Sequence, residues 1–253
     1  MRCRKHFSAA TGDRCFGQNK RRLNNKIYKE LASCVSMRRI ARNLGISRTT
    51  VMRKLIFLGQ KCLEEIQEQN SKSPKVTRIQ FDELETIEHT KLKPLSIPIA
   101  VTYPERRILG FEVARMPAKG HLSKLSVKKY GKRKDERAKA MEDLFSSIKP
   151  FVDESCVLES DENPYYSRHI NKHFPKGRHA RFKGRRGSTT GQGELKKVRF
   201  DPLFQLNHTC AMLRANINRL VRKTWCTTKV PERLRFHLAI YAHFHNNHLI
   251  ESS

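Results

Sequence analysis

Between residues 19 and 70 apolar residues recur three or four positions apart with short breaks between the stretches, which predicts helices. The segment from Glu64 to Pro74 then turns polar and ends at a proline, predicting a linker over residues 68–75. Beyond it the period changes. Residues 76–81, 95–102 and 108–114 are short runs rich in β-branched residues, separated by turn signals such as Tyr103-Pro-Glu-Arg-Arg107, and they predict a three-strand meander whose first strand is closed by Asp82. Residues 134–149 carry Ala138, Met141, Leu144, Phe145 and Ile148 on one helical face, and residues 156–158 read as a short buried strand after it. A sheet with a crossover helix follows from that order. Residues 168–193 show no apolar period and read as a basic strand edge running into a mobile loop. From Asp201 onward Leu203, Leu206, Cys210, Leu213, Ile217 and Leu220 form one helical stripe, and a last helix runs from Pro231 to about His248.

The expected class is therefore α/β, a mixed sheet flanked by helices and preceded by a small all-α unit. Its domains would be residues 19–68 and 76–250, with residues 1–18 as a separate remnant.

Charge changes this picture from a generic fold to one with an expected partner. The 253 residues hold 52 Lys and Arg against 24 Asp and Glu, a net charge of +28. Such an excess repels itself in a compact molecule unless a polyanion shares the surface, so double-stranded DNA is the expected partner. The 38% of hydrophobic residues is enough for a core, which excludes a wholly disordered basic tail. No apolar run approaches the ~20 residues that span a bilayer, and the first thirty residues lack an apolar signal segment, so no membrane role is expected. Seven scattered cysteines suit reduced thiols, and the reading places the chain in a bacterial cytoplasm, associated with the nucleoid.

One local motif points to DNA directly. In Ser36 to Leu55, Ile40, Leu44, Ile46, Val51 and Leu55 supply the contacts between two short helices, Ala41 is small at their crossing, Gly45 stands at the turn, and Ser36 and Ser47 are placed to cap the helices that follow them. This is the pattern of a helix-turn-helix, whose second helix enters the major groove. Arg48, Thr49 and Thr50 would reach base edges while Arg53 and Lys54 hold phosphates. The bland alternative is a helical hairpin in a core, which has no need of cations along the exposed face of its second helix. Further along, Arg168 to Arg186 packs eight Lys or Arg and three His into nineteen residues, and Arg181, Lys183, Arg185 and Arg186 are expected to follow the DNA backbone. Cys3 and His6 have the spacing of half a zinc ribbon. With Cys15 as a third ligand and no fourth, Zn²⁺ is expected only if further N-terminal ligands exist, which suggests a lost beginning.

Acidic residues stand out against this background. Asp82 and Asp161 fall at predicted strand ends, where two carboxylates could hold divalent ions against a phosphate, although strand-end aspartates are more often turn residues. Together with the helix-turn-helix, the segments Asp161-Glu-Asn-Pro-Tyr-Tyr166, Leu206-Asn-His-Thr-Cys210 and Arg219-Leu-Val-Arg-Lys-Thr224 resemble bacterial insertion-sequence transposases of the insertion-sequence-one type, in the family's order over nearly the whole chain.

The resemblance implies an RNase H-like core, Mg²⁺ or Mn²⁺ as cofactor, and cleavage at element ends followed by in-line attack of the freed 3′-hydroxyl on target DNA, by a homo-oligomer on paired ends. It implies Asp82 and Asp161 as the first two catalytic and metal-binding residues and Asn207 as the third, where the standard triad has glutamate. Asparagine offers a carbonyl oxygen but no charge. It would be presented toward the sheet, with Glu85, Glu162 and Glu194 as reserve carboxylates. Arg214, Arg222 and Lys223, with Arg219, would clamp the DNA backbone. His208, His243 and His245 are read as DNA or water contacts, against packing as the plainer role, and Tyr165 and Tyr166 as base-stacking or core residues. Two rivals are kept: a non-catalytic or decayed DNA-binding protein of a mobile element, and a nuclease that cuts without joining.

Overall fold

The computed structural model describes residues 12–183, 201–221 and 225–250. It opens with three helices, α1 (Asn24–Leu31), α2 (Met37–Asn43) and α3 (Arg48–Lys72). Both capping serines act as the sequence requires. The Ser36 hydroxyl accepts the Arg39 amide at 3.3 Å, and that of Ser47 accepts the Thr50 amide at 3.1 Å. Gly45 sits between α2 and α3 at φ +59°, a left-handed conformation in which a Cβ would be strained.

The expected linker over residues 68–75 is not there. Helix α3 runs 25 residues, and only residues 73–75 separate it from β1 (Val76–Ile87). Its polar C-terminal half stays helical because its inner face is held: Ile66 is buried, and Asn70 donates to the Leu109 carbonyl at 3.0 Å while accepting from Arg107 at 2.8 Å.

Strand β1 pairs antiparallel with β2 (Pro94–Thr102), which pairs antiparallel with β3 (Ile108–Phe111) and, at its other end, with the two-residue β4 (Ala114–Arg115). Helices α4 (Leu122–Tyr130) and α5 (Arg137–Ile148) lead into β5 (Val152–Asp161), which lies parallel to β1 on the side away from β2. Helix α6 (Tyr165–His173) then crosses to β6 (Arg178–Phe182), parallel to β5 at the sheet edge. The order is β3-β2-β1-β5-β6, a mixed sheet flanked by helices. The meander, the helix before β5 and β5 itself match expectation, whereas α4 had no counterpart in the sequence reading. Residues 168–173, expected as strand edge, are helical because Tyr166, Ile170 and Phe174 recur at helical spacing and bury against Phe81, Phe145 and their neighbours.

Helix α7 (Phe204–Asn216) carries the anticipated stripe, with Leu206 and Leu213 buried, but ends before Ile217 and Leu220, which bury in a short 3-10 turn. Helix α8 (Pro231–His248) has the expected bounds. It is buried almost all round, because α3 packs on one side and α1 and the sheet on others. Where α3 meets α8, a Cβ on Gly59 would lie 2.7 Å from the Phe236 Cα, so the backbones approach more closely than any side chain permits. One apolar cluster runs unbroken from Ile27, Ile40 and Leu55 through Leu238 and Tyr241 to Ile97 and Val101 of the sheet. The N-terminal helices and the sheet thus share a core. Among the described residues no helix is long and apolar enough to cross a membrane.

Candidate functional site

Asp82 does not close β1. It lies in the strand interior, because pairing with β2 continues to Ile87↔Pro94, well past the last pairing with β5 at Gln80↔Glu159. Carrying the parallel register two residues beyond that last pair brings Asp82 opposite Asp161, the last residue of β5. Alternation along the strands puts both carboxylates on the α7 side, since Gln80, two residues before Asp82, donates to Glu159, two residues before Asp161, at 2.9 Å and to the Pro202 carbonyl, and accepts the Leu206 amide at the start of α7.

The electrostatics agree with that proximity. Burial raises the Asp82 pKa above the ordinary aspartate value, the Asp161 charge raises it further, and hydrogen bonds from the Glu83 amide at 2.7 Å and the Tyr166 hydroxyl at 2.9 Å work against the rise. The same burial and the Asp82 charge push the Tyr166 phenol well above its usual range, so it stays a donor at any physiological pH. Asp161 accepts the Asn163 amide at 3.0 Å, a tight turn that leads into α6 and so sets Tyr166 beneath Asp82. Tyr166 was read as a base-stacking or core residue. It is both a core ring, edge-on to Phe81 at 5.0 Å, and the group that orients Asp82. Tyr165, its neighbour, is exposed.

The third expected residue does not join them. Asn207 is exposed on α7, and its amide donates to Asp201 at 2.7 Å, so it is not presented toward the sheet as expected. Cys210, one turn later, is the α7 residue whose thiol feels the Asp82 charge; burial first and that charge second push it up to about 12. The reason is helical phase: Leu206, Thr209 and Leu213 take the innermost stripe, leaving Asn207 at its rim. Of the reserve carboxylates, Glu85 pairs with Lys119 at 2.6 Å and Glu162 is exposed. Glu194 lies outside the described residues.

Among the expected DNA contacts, Arg48, Thr49 and Arg53 are exposed on the first turns of α3, and Thr50 shares its hydroxyl with the Ser47 cap at 2.9 Å. Lys54 is less accessible than Arg53: it is 4% exposed, its ammonium donates to the Gln18 side-chain oxygen at 2.5 Å, and it lines a second cleft with Lys20, Thr50 and Arg53. Arg181 and Lys183 are exposed at the β6 edge, and Arg214 lies close enough to Cys210 to lower its pKa. Cys3, His6, Arg185, Arg186, Arg222 and Lys223 lie outside the described residues.

The histidines serve the fold. His245 reaches the Arg106 carbonyl at 2.9 Å and His208 the Arg106 guanidinium at 2.8 Å. His243 contacts the Tyr28 hydroxyl at 2.8 Å and the Asn247 amide at 2.9 Å. Cys62, Glu65 and His243 come within 4.8 Å of one another, a grouping that could be taken for a metal site. Burial pushes the Cys62 thiol up to about 12, and both His243 nitrogens are already engaged, so the cluster reads as a polar joint between α1, α3 and α8.

One feature escaped the sequence reading altogether. A cleft of about 480 Å³ lies between the start of α3 and the connection from α7 to α8, lined by Arg38, Arg48, Arg219, Lys229 and Arg233 beside the fully exposed Trp225. Its parts are almost two hundred residues apart in the chain, so no local spacing announces it. No model of a known protein family matches this chain, and no curated protein matches it.

Proposed function

We propose that this protein is a DNA-binding phosphoryl transferase of the RNase H-like kind, a transposase that cuts and joins DNA strands at the ends of a mobile element. The observation that carries the reading is the pair Asp82 and Asp161, brought side by side on adjacent parallel strands of a sheet in which only β2 runs against its neighbours in the central part. Two hard, half-buried carboxylates with mutual repulsion suit Mg²⁺ or Mn²⁺, which at such a site polarises a scissile phosphate and activates the attacking oxygen. Asp82 and Asp161 would hold it. Tyr166, donating to one Asp82 oxygen, fixes the direction of the other. The capped α2–α3 pair supports a helix-turn-helix reading, with Arg48 and Thr49 exposed at the start of its second helix.

The metal site can be tested without any DNA. Because the Asp82 pKa is raised in the folded state, the stability it lends is full below its unfolded value near ~4 and is lost as pH rises through the folded value. At neutral pH the ionised carboxylate therefore costs stability until a cation neutralises it. The melting temperature of the wild type is expected to rise on adding Mg²⁺ or Mn²⁺. Asp82→Asn, which keeps both hydrogen-bond acceptances, should melt higher than wild type without metal and gain nothing from it. A wild type indifferent to both cations, or an Asp82→Asn protein that responds like it, would overturn the reading. The exposed, uncharged Asn207 favours the second reading, a DNA-binding protein without catalysis, which that result would select.

Binding has its own expected result. Arg48→Ala should reduce discrimination between element ends and random DNA by roughly 1 to 3 kcal/mol, the worth of one good base contact. Lys54→Ala should lower the melting temperature, since it removes the ammonium's bond to Gln18, and should change both affinities equally, because a lysine beside Arg53 can meet a phosphate but not a base edge. Competition binding with paired oligonucleotides, alongside thermal melts, checks both.

A further inference from the structure

Arg219 is a buried cation. Its side chain is 6% exposed, and its guanidinium donates to the Thr228 hydroxyl at 3.2 Å and to the Met37 sulfur at 3.5 Å. Among the described residues no carboxylate pairs with it. Burial, with Arg233 nearby, pushes it down to about 10, so it remains charged at neutral pH. A guanidinium out of water ordinarily has an anion beside it, because the lost hydration must be replaced. The cleft that Arg219 lines brings four more cations, Arg38, Arg48, Lys229 and Arg233, and not one carboxylate from the described residues. An anionic ligand entering this cleft would meet five cations.

Trp225 narrows the class of anion. It is the only tryptophan of the chain and stands fully exposed on the same cleft. An indole in water is unfavourable unless a flat apolar group covers it, and a nucleobase offers such a face beside a phosphate. A base within a duplex has both faces covered by its neighbours, so the base that stacks here must be unpaired. The volume of about 480 Å³ falls within the ~300 to 1,000 Å³ of small-ligand sites, enough for one nucleotide and not for a duplex.

We infer that this cleft holds an unpaired nucleotide of a DNA strand, its phosphate on Arg219 and the surrounding cations and its base on Trp225. The inference rests on the nucleic-acid part of the proposed function and not on the Asp82–Asp161 chemistry. It deepens that reading in one respect: the start of α3 would stand beside a place where the duplex has opened.

Trp225 is its own reporter, because any change in tryptophan fluorescence comes from this residue. A short fluorescently labelled single-stranded oligodeoxynucleotide, titrated into the full chain, should quench the tryptophan saturably over the same concentration range in which its label anisotropy rises. A blunt duplex of the same length should bind by anisotropy with little quenching. Trp225→Ala should weaken the single strand roughly tenfold and leave the duplex within twofold, as expected of a lost base stack. Arg219→Ala should weaken it roughly tenfold or more, as loss of a charged hydrogen bond does. Arg233→Ala, on the rim, gives a second cation variant that does not disturb a buried position. Inorganic phosphate at the same concentrations should not quench.

If the oligonucleotide binds by anisotropy but the tryptophan signal stays flat, the cleft assignment is wrong and DNA binding stands. Quenching by phosphate or by duplex as strong as by the single strand also overturns it. Absence of any binding by anisotropy defeats the nucleic-acid reading and this inference together.

Discussion

Alanine at Asp82 or at Asp161 is expected to abolish metal-dependent strand cleavage and joining while DNA affinity stays level or rises. Each substitution removes a hard oxygen ligand, and metal charge stabilisation at a phosphate is worth several kcal/mol. A loss of about 4 kcal/mol corresponds to roughly a thousandfold in rate. The same substitution takes a negative charge away from the place where a phosphate would bind, which eases its approach. That opposite movement of rate and affinity separates loss of chemistry from loss of fold. Tyr166→Phe should cost far less, since it frees Asp82 without removing it, and Asn207→Ala less again, because its amide is engaged with Asp201. The assay is supercoiled plasmid carrying paired element ends, incubated with Mg²⁺ or Mn²⁺ and with chelator as control. Cutting by Asp161→Ala at the wild-type rate would remove the catalytic reading.

Gly59→Ala is expected to destabilise the protein even though alanine is the better helix former. Propensity alone would favour the substitution by about 1 kcal/mol. Against that, the added methyl meets the Phe236 backbone at 2.7 Å, and a backbone cannot swing aside as a side-chain tip can. Helices α3 and α8 must separate, and overpacking of this kind costs roughly 1 to 3 kcal/mol or more. The melting temperature should fall by roughly 2 to 8 °C for a chain of this size. Since α3 carries Arg48 at one end and Asn70 against the sheet at the other, the same shift should weaken DNA discrimination beyond what Arg48→Ala alone costs. A Gly59→Ala protein that melts at or above the wild-type temperature would show that the joint is looser than the backbone contact implies.

Local pattern was enough for most of the elements. The serine caps around α2 and α3, the glycine between them, the β-branched run of β2 and the proline that opens α8 each depend on residues within a few positions of one another, and each appears where the local pattern places it. Errors arose where a local signal was outweighed by distant packing. The polar stretch after Glu64 looks like a linker, yet Asn70 and Arg107 bond across to the sheet and keep it helical. The basic run from Arg168 looks like an edge strand, yet Tyr166, Ile170 and Phe174 hold its first part as a helix against Phe81 and Phe145.

The two aspartates were legible as candidates because carboxylates are conspicuous in so cationic a chain, and the resemblance supplied their roles. That they stand at adjacent strands was anticipated from the element order, but the parallel register between β1 and β5 that brings them opposite one another was not legible, since no short window encodes it. Composition and period by themselves determined an α/β chain with a capped helical pair and a strongly basic charge. Only the tertiary structure decided that Tyr166 orients Asp82, that Asn207 turns to Asp201, and that Arg219, Arg38 and Trp225 meet around one cleft. The physical reason is the same in each case: helical phase and strand register choose a side chain's direction, and burial then decides which charges lose their water and must find a partner.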